Sequence, residues 1–234
     1  MHRFYIPEVS GDNCKLSEEE SKHCIRVLRL QQGDGVEIVD GKGNRYKADI
    51  ENANPKACVL KIREHSHEIP PTWELAIAIA PTKNIARIEW LIEKLTEIRI
   101  TEFIPFSAHH SERKILKTDR LKKIAIEAMK QSERTYLPLI QELVPYTQML
   151  KSFTDFKGQK FILHCIEKER KTFSTSYKKG ESALLLIGPE GDFTDSETEE
   201  AIGHGFIPIT LGEHRLRTET AALVAACTLH ALNA

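Results

Sequence analysis

The segment Ala183–Glu197, with the sequence ALLLIGPEGDFTDSE, decides the fold of the chain. Its first residues form an apolar run of strand length that ends at the tight turn GPEG, and Thr194 with Glu197 makes a capping box that starts a helix. Neither G-x-x-x-x-G-K-S/T nor G-x-G-x-x-G is present, and residues 181–205 hold seven acids and no Lys or Arg. The turn is therefore either an ordinary strand-to-helix connection or a contact for a ligand that is not anionic.

The same strand-to-helix unit repeats on both sides of this segment, over residues 71–234. Apolar runs of strand length alternate with segments whose apolar residues recur at helical spacing, as at Ile88, Leu91 and Leu95. This alternation predicts an α/β domain with a mostly parallel sheet covered on both faces, in which ligands bind at the carboxyl ends of strands. The predicted strands are WELAIAIA, TEFIPF, KFILHC, SALLLIG and FIPIT, and the predicted helices are IARIEWLIEKLTEI, LKKIAIEAMKQSE, TDSETEEAIGHG and TETAALVAACTLHAL.

A second strand-end turn lies in Pro208–Ala225, PITLGEHRLRTETAALVA. The strand is predicted to end at Leu211–Gly212, and Thr218 is predicted to cap the last helix. Because the carboxyl ends of parallel strands lie at one edge of a sheet, the two turns can face each other. Arg217 lies at a helix start, where the helix dipole disfavours a cation. It is either part of a solvated charge cluster or a functional group at the turn.

Residues 1–70 have a different pattern, with short strands rich in β-branched and aromatic residues. Ser17 and Glu20 form a capping box before CIRVLRL, which predicts one helix among the strands. The segment EHSHEIPPT suits a linker, because Pro70 and Pro71 cannot continue helix or ladder hydrogen bonding. We therefore predict two domains, residues 1–70 and 71–234. The predicted strands of the first are RFYI, VEIVD, RYKADIE and ACVLKIR.

The charge of the chain is nearly balanced, with 33 Lys and Arg against 34 Asp and Glu. Positive charge is concentrated in two runs: residues 109–134 hold eight Lys or Arg against four acids, and residues 157–180 hold seven against two. Each run is either a solvated face or, together with Arg3, Arg26 and Arg29, part of a surface that follows the phosphates of a nucleic acid. The balanced total excludes a uniformly basic coat and leaves nucleic-acid binding to such local patches.

The five cysteines are widely spaced and include no C-x-x-C pair, which favours a reducing cytoplasm and small core residues over disulfides or a zinc site. The pairs His65 with His67 and His109 with His110 lack partners at metal-ligand spacing, so no metal is predicted. No apolar run reaches the roughly 18 residues of a membrane helix, and the first residues lack the pattern of a signal peptide. We therefore predict a cytoplasmic protein with no membrane partner.

Four segments carry a resemblance to a known family: LIEKLTEI, EAMKQSERTYLP, LLIGPEGDF and ITLGEHRLRTETA. With them the chain resembles the bacterial RsmE family, the small-subunit rRNA uridine N3-methyltransferases of the SPOUT superfamily. HRFYIP and HCIRVLRLQQGD are similar to that family's PUA-like RNA-binding domain. The resemblance implies an α/β fold in which a small PUA-like β-barrel domain precedes a SPOUT α/β-knot methyltransferase domain. Its deep trefoil knot would be an exception to the rule that chains do not thread loops.

The resemblance also implies a homodimer that uses S-adenosyl-L-methionine to methylate N3 of a specific uridine in 16S rRNA of the small ribosomal subunit. This donor is a sulfonium cation with a flat adenine, so main-chain hydrogen bonds and apolar walls suit it better than a basic cradle. By position, the residues implied in the donor pocket are Leu163, His164, Ile187, Gly188, Pro189, Glu190, Gly191, Leu211, Gly212, Leu216, Arg217, Thr220 and Ala221.

For the reaction itself, three residues are candidates. Arg217 or a basic residue of the neighbouring subunit is assigned to stabilising the developing uracil anion, and Glu190 and Glu219 are candidates for the proton acceptor. The candidate RNA-binding residues are Arg3, Arg26, Arg29, Lys83, Arg113, Lys114 and Arg134.

The chain departs from the family pattern at three places. Asp192 stands where a further glycine is common, Arg215 where an apolar residue is common, and Ile98 with Arg99 where a Leu-Gly pair is common. Two alternatives to the methylation of uracil stay open. One is a non-catalytic RNA-binding factor of ribosome assembly that retains the family pattern, and the other is an rRNA ribose 2′-O-methyltransferase of the same fold.

Overall fold

The computed structural model describes residues 1–165 and 170–234 of the chain. The chain divides into two compact units. The first unit contains Met1–Pro70 and Ile126–Leu137, and the second contains Pro71–Ala125 and Pro138–Ala234. A single division at Pro71 misses Ile126–Leu137, because packing between segments far apart in sequence leaves no sign in local composition.

A five-stranded sheet forms the body of the first unit. Its order is β1-β3-β4-β5-β2, with β1 parallel to β3 and the other pairs antiparallel, for the strands β1 (His2–Tyr5), β2 (Asn13–Lys15), β3 (Gly35–Val39), β4 (Asn44–Asn52) and β5 (Val59–His67). The short strand β2 was not predicted. Apolar side chains of the sheet bury one core that includes Phe4, Ile38, Ile50 and Leu60.

The predicted N-cap Ser17 starts helix α1 (Glu18–Lys22), where Ser17 Oγ accepts a hydrogen bond from Glu20 N at 3.1 Å. The other half of the predicted capping box is wrong, because the Glu20 carboxylate pairs with Lys130 Nζ at 2.8 Å. The chain then continues as a π-helical turn, His23–Val27, rather than as an α-helix through CIRVLRL. The Ser17 cap is therefore present, whereas the Glu20 side chain contacts a distant segment instead of completing the capping box.

The histidine-containing segment that was assigned to the linker belongs to strand β5, which runs to His67. His65 stacks on Tyr46 of β4 with ring centroids 4.6 Å apart, and its Nε2 lies 2.9 Å from Asn44 Oδ1. His67 Nδ1 lies 3.1 Å from the same oxygen. These contacts across the ladder hold the two histidines in the strand, so the predicted linker is shorter than EHSHEIPPT.

The hairpin between β3 and β4 depends on Gly43. Its φ of +97° is left-handed, and a Cβ there would overlap the Tyr136 hydroxyl, which donates to Glu68 O at 2.7 Å. We expect Gly43→Ala to lower the free energy of unfolding by about 2 kcal/mol, from backbone strain and the displaced bond. Urea denaturation followed by circular dichroism measures the change. Gly35→Ala is the control, because a Cβ there meets only ordinary contacts; equal losses in both variants would contradict the prediction.

A parallel sheet forms the second unit, as the alternation of strands and helices predicts. Its strands are β6 (Leu75–Ile79), β7 (Glu102–Ser107), β8 (Leu139–Ile140), β9 (Val144–Pro145), β10 (Gln159–Leu163), β11 (Lys171–Thr172), β12 (Ala183–Ile187) and β13 (Ile207–Thr210). The helices are α2 (Ile85–Glu97), α3 (Thr118–Gln131), whose last residues belong to the first unit, α4 (Tyr146–Ser152), α5 (Phe173–Ser176), α6 (Asp195–Gly203) and α7 (Thr218–Asn233).

The strand order is β11-β13-β10-β12-β6-β7-β8, with β9 beside β7 and every pair parallel. The neighbours of β10 are therefore β12 and β13, and three strand ends, at Leu163, Ile187 and Thr210, lie side by side. The carboxyl ends of parallel strands form the edge at which ligands bind in such folds. The trefoil knot stays a prediction, because strand order does not define how the chain is threaded.

Two element ends of the second unit differ from the prediction. Helix α7 begins at Thr218, and the N-cap position belongs to Arg217, whose backbone is extended and whose side chain makes no cap bond. Strand β13 ends at Thr210, the last residue of the predicted strand FIPIT, and not at the turn Leu211–Gly212. The capping box of α6 is confirmed: Thr194 Oγ1 accepts from Glu197 N at 3.1 Å, and Glu197 Oε2 accepts from Thr194 N at 2.9 Å.

Three of the five cysteines are core residues of the first unit: Cys14, Cys24 and Cys58 are buried, and burial raises the pKa of Cys24 to about 12. Cys165 and Cys227 are exposed, so the prediction of a core role is wrong for these two. Among the residues that the structure describes, no helix is long and apolar enough to cross a membrane, and no group of three or more His, Cys, Asp or Glu side chains could hold a metal ion.

Candidate functional site

A cavity of about 560 Å³ opens at the carboxyl ends of β10, β12 and β13. The loop after each of these strands contributes one wall, and all three walls belong to the second unit. The volume is typical of small-molecule sites. The lining residues are Leu163, His164, Cys165 and Arg170 at and after the end of β10, Ile187, Gly188, Pro189, Glu190 and Asp192 at and after the end of β12, and residues 209–218 with Ala221 at and after the end of β13.

The turn after β12 is shaped by two glycines that pack against rings. A Cβ on Gly188 would lie 2.9 Å from the ring of Phe193, and a Cβ on Gly191 would lie 2.9 Å from Cβ of His110. A residue without a side chain is therefore needed at both places. The Pro189 carbonyl accepts a hydrogen bond from the amide N–H three residues later at 2.9 Å, which closes the turn.

Glu190 joins this turn to two other loops. Its Oε1 accepts a hydrogen bond from Lys83 N at 3.0 Å, and its main-chain carbonyl accepts one from Arg215 Nη2 at 3.2 Å. The guanidinium of Arg113 donates to the carbonyl oxygens of Thr82 at 3.0 Å and Lys83 at 2.5 Å. The cavity is thus bounded at Glu190 by loops that are hydrogen-bonded to one another.

The bend after β13 depends on Gly212. Its φ of +137° is a conformation that only glycine adopts without strain, and no described atom lies within 4 Å of the place that a Cβ would occupy. Thr210 Oγ1 donates to Gly212 O at 2.8 Å and lies 3.3 Å from Gly212 N. These contacts turn the chain out of the strand and leave the exposed main chain of Gly212 at the cavity.

The structure brings together most of the residues that the sequence assigned to the donor pocket. All of them except Gly191 and Thr220 line the cavity. Gly191 packs against His110, and Thr220 lies in the first turn of α7. The role of the lining residues toward a donor stays a prediction.

The three candidate catalytic residues differ in whether they line the cavity. The Arg217 side chain is exposed and lines the cavity, and its guanidinium has no hydrogen-bond or ion-pair partner among the described residues. Glu190 also lines the cavity. Glu219 does not: its side chain is 8% exposed, and its Oε1 lies 3.6 Å from Arg87 Nε of α2. The turn of α7 directs Glu219 toward α2, so its assignment as proton acceptor is not supported.

Several lining residues were absent from the predicted pocket. The signal that could have found them is adjacency to a strand end, since Cys165 closes the predicted strand KFILHC and Thr210 closes FIPIT. Residues 166–169 of the basic run 157–180 lie outside the described residues. The unpredicted lining residues are Cys165, Arg170, Asp192, Ile209, Thr210, Glu213, His214, Arg215 and Thr218.

Comparison with protein families identifies both parts of the chain. Residues 69–230 match the family model described as RNA methyltransferase domain, and residues 16–63 match the RNA methyltransferase PUA domain. The chain belongs to the RNA methyltransferase family. The resemblance to RsmE and the predicted fold class, a PUA domain before a parallel-sheet methyltransferase domain, are therefore confirmed.

Relatives of this RNA methyltransferase cover nearly its whole length. The ribosomal RNA small subunit methyltransferase E of Synechocystis is 33% identical over 93% of this chain and 72% of that protein. The protein of the same name in Bacillus subtilis is 30% identical over 96% of this chain and 94% of that protein. A solved structure from Porphyromonas gingivalis, named as a candidate rRNA methyltransferase, is 39% identical with a TM-score of 0.91 and covers 100% of this chain and 98% of that one. A Legionella pneumophila protein, described as a methyltransferase and solved with the cofactor SAM bound, is 29% identical with a TM-score of 0.88. The match covers 99% of this chain and 97% of that one.

Two departures from the RNA methyltransferase pattern occupy left-handed backbone positions. Asp192 has a φ of +63° and Arg99 a φ of +69°, and such positions favour the glycine that is common there. Arg99 follows the end of α2, where a left-handed residue often terminates a helix. The third departure, Arg215, bonds the carbonyl of Glu190. Each departure thus has a defined place in the structure.

In the first unit of this RNA methyltransferase, the RNA-binding candidates differ in exposure. Arg26 and Arg29 are exposed, and Arg134 is half-buried. The Arg3 guanidinium is paired with Glu37, and its side chain is 8% exposed. The prediction that Arg3 contacts RNA is not supported, because its charge is already used in a largely buried pair.

The second unit contains the other RNA-binding candidates. Lys83 and Lys114 are exposed, and Lys83 Nζ pairs with Glu112 at 2.8 Å. Arg113 is half-buried, and its donors are directed at main-chain carbonyls. An exposed lysine in a surface ion pair can exchange its partner for a phosphate at little cost, whereas Arg113 is better described as a brace of its loop.

Proposed function

We propose that this protein transfers a methyl group from S-adenosyl-L-methionine to N3 of a uridine in 16S rRNA of the small ribosomal subunit. The observation that carries the proposal is the cavity at three adjacent strand ends in a chain of the RNA methyltransferase family. The relatives named ribosomal RNA small subunit methyltransferase E support the substrate, and the Legionella structure with bound SAM supports the donor. The position on the base rests on the resemblance to RsmE.

The residues of the cavity fit this donor. Leu163, Ile187 and Leu211 supply apolar surface, and the bend at Gly212 presents exposed main-chain groups. A flat adenine is held by such surfaces, and a sulfonium cation needs no cluster of basic side chains. When bound, the donor supplies a methyl group on a positively charged sulfur.

Arg217 is the cation at the cavity that is best placed for the chemistry, because none of the described residues uses its guanidinium. Negative charge develops on uracil as its N3 proton is lost, and a guanidinium hydrogen bond stabilises that charge. Glu190 is the remaining candidate for accepting this proton, since its carboxylate lines the cavity and is held by Lys83 N. The N3 edge is occupied in a base pair, so the substrate uridine must be unpaired or turned out of the stack.

We further propose that the first unit binds ribosomal RNA and that the protein acts as a homodimer in the cytoplasm. The match of residues 16–63 to the PUA domain of RNA methyltransferases and the exposed Arg26 and Arg29 support the RNA contact. The homodimer follows from the resemblance, and the cytoplasmic location follows from the widely spaced cysteines, which favour a reducing compartment. Light scattering during size-exclusion chromatography is expected to give the mass of two chains, and the mass of one chain would contradict the homodimer.

Methylation of unmodified small-subunit RNA tests the proposed function. The protein is incubated with the donor and with small subunits from a strain that lacks the enzyme, and the digested nucleosides are separated and identified by mass spectrometry. We expect N3-methyluridine at one site, and none when the donor is omitted. A 2′-O-methyl nucleoside would establish the ribose methyltransferase instead. No methyl transfer from a protein that binds the donor would favour the non-catalytic assembly factor.

A further inference from the structure

One peptide group in the wall of the cavity is held at both of its polar ends. The carbonyl of His164 accepts a hydrogen bond from Arg170 Nη1 at 2.7 Å, and the N–H of the same peptide, at Cys165, donates to Asp192 Oδ2 at 2.7 Å. The cation lies at the negative end of the peptide dipole and the anion at its positive end. Both bonds are charge-assisted, which makes them roughly twice as strong as bonds between neutral groups.

Asp192 is itself fixed from several sides. Its main-chain N–H donates to Pro189 O at 2.9 Å, and its carbonyl lies 3.0 Å from His110 Nδ1. Its Oδ1 accepts a hydrogen bond from Phe193 N at 2.9 Å, and Phe193 is a core residue with 3% exposure. The carboxylate is therefore held with Oδ2 directed at Cys165. The bond joins the turn after β12 to the loop after β10.

The backbone of Asp192 alone would favour a different residue. Its φ of +63° is left-handed, a conformation that glycine adopts without strain. A glycine there could not reach Cys165, whereas aspartate tolerates the conformation and supplies an acceptor. The carboxylate at this position therefore supplies a bond to Cys165 that a glycine would not provide.

We propose that Asp192, together with Arg170, is a positioning residue for binding of the methyl donor, because it fixes the His164–Cys165 peptide that forms one wall of the cavity. The inference rests on the proposed function. It explains how the wall of that same cavity at His164 and Cys165 is held in a fixed position relative to the turn after β12. Asp192 acts through the main chain of Cys165 and takes no part in the chemistry. A peptide that was free to rotate would have to be ordered when the donor binds, and this ordering lowers affinity.

Asp192 also lines the cavity, so its charge could attract a sulfonium cation directly. The two explanations differ in what they require of the side chain. Positioning requires an acceptor atom at the place of Oδ2, whereas direct attraction requires a negative charge. Asparagine provides an acceptor without the charge and also tolerates the left-handed conformation. Asp192→Asn therefore separates the two explanations.

Isothermal titration calorimetry with S-adenosyl-L-methionine on the full-length protein measures the effect. We expect Asp192→Gly to weaken the affinity about tenfold, the amount that loss of a hydrogen bond to a charged group implies. Asp192→Asn is expected to lose less affinity than Asp192→Gly, because its amide oxygen accepts the Cys165 bond whereas its NH2 group cannot accept the Phe193 N–H. Equal losses in both variants would overturn positioning in favour of charge, and unchanged affinity in Asp192→Gly would overturn any role of Asp192 in donor binding.

Hydrogen exchange of the Cys165 amide, followed by NMR on the protein without donor, tests the bond independently of the proposed function. Exchange is expected to be slow in the wild type and in Asp192→Asn and several-fold faster in Asp192→Gly, with the unfolding midpoints of all three close together. Equal exchange rates in the three proteins would overturn the proposal. If the wild type failed to bind the donor while this pattern held, the proposed function would be wrong and the structural role of Asp192 would stand.

Discussion

We expect the replacement of Arg217 by alanine to lower the rate of rRNA methylation about a hundredfold while the protein stays folded. The guanidinium lines the cavity and is free of partners among the described residues, so it is available to the uracil anion that the proposed reaction would form. Removing one such charge-stabilising donor from an active site costs on the order of a hundredfold to a thousandfold in rate. Single-turnover transfer of a labelled methyl group to unmodified small subunits, with donor and RNA saturating, measures the loss.

Arg217→Lys is the matched variant for this prediction. It keeps the positive charge but loses the planar donor geometry, so we expect a rate between those of the wild type and Arg217→Ala. Circular dichroism and the unfolding midpoint establish that each variant is folded. A wild-type rate in folded Arg217→Ala would remove Arg217 from the mechanism and leave Glu190 as the candidate catalytic residue of the cavity.

Replacing Gly188 by alanine disables the site by a different route, through packing. A Cβ at this position would lie 2.9 Å from the ring of Phe193. That ring cannot move aside easily, because it is stacked with Phe106 at a centroid distance of 6.2 Å and packs against Tyr146 at 5.9 Å. We expect a loss of about 2 kcal/mol in unfolding free energy and a donor affinity at least tenfold weaker. Denaturation and calorimetry measure the two quantities.

Gly203→Ala is the control for this substitution. Gly203 ends α6, and no described atom lies within 4 Å of the place that its Cβ would occupy. An alanine in a helix is expected to leave stability unchanged or slightly raised. Donor affinity equal to the wild type in both variants would show that the turn after β12 does not shape the binding site.

Much of the second unit is predictable from sequence because its strands and helices have strong local signals. The apolar run at Ala183–Ile187 is a fully buried strand, and the Thr194 capping box forms as predicted. Two walls of the cavity are also predictable from sequence. Gly188 and Gly212 mark where two parallel strands end, and the carboxyl ends of parallel strands lie at one edge of the sheet. Local pattern and global fold agree at these places.

The features that the sequence did not reveal depend on contacts between distant segments. The Glu20 carboxylate pairs with Lys130 instead of completing the capping box. The Cys165 N–H donates a hydrogen bond to Asp192 Oδ2. The direction of Glu219 is set by Arg87 on another helix. A residue's own sequence surroundings contain no sign of such partners, so neither the direction of the Glu219 side chain nor the bond between Cys165 and Asp192 could be predicted.

A crystal structure of the protein grown with S-adenosyl-L-methionine shows where the donor binds. We expect the donor in the cavity between the ends of β10, β12 and β13, with the adenine against apolar side chains and the main chain near Gly212. The methyl group is expected on the side of Arg217. Donor bound elsewhere on the chain, or a cavity that stays empty at saturating donor, would contradict this expectation.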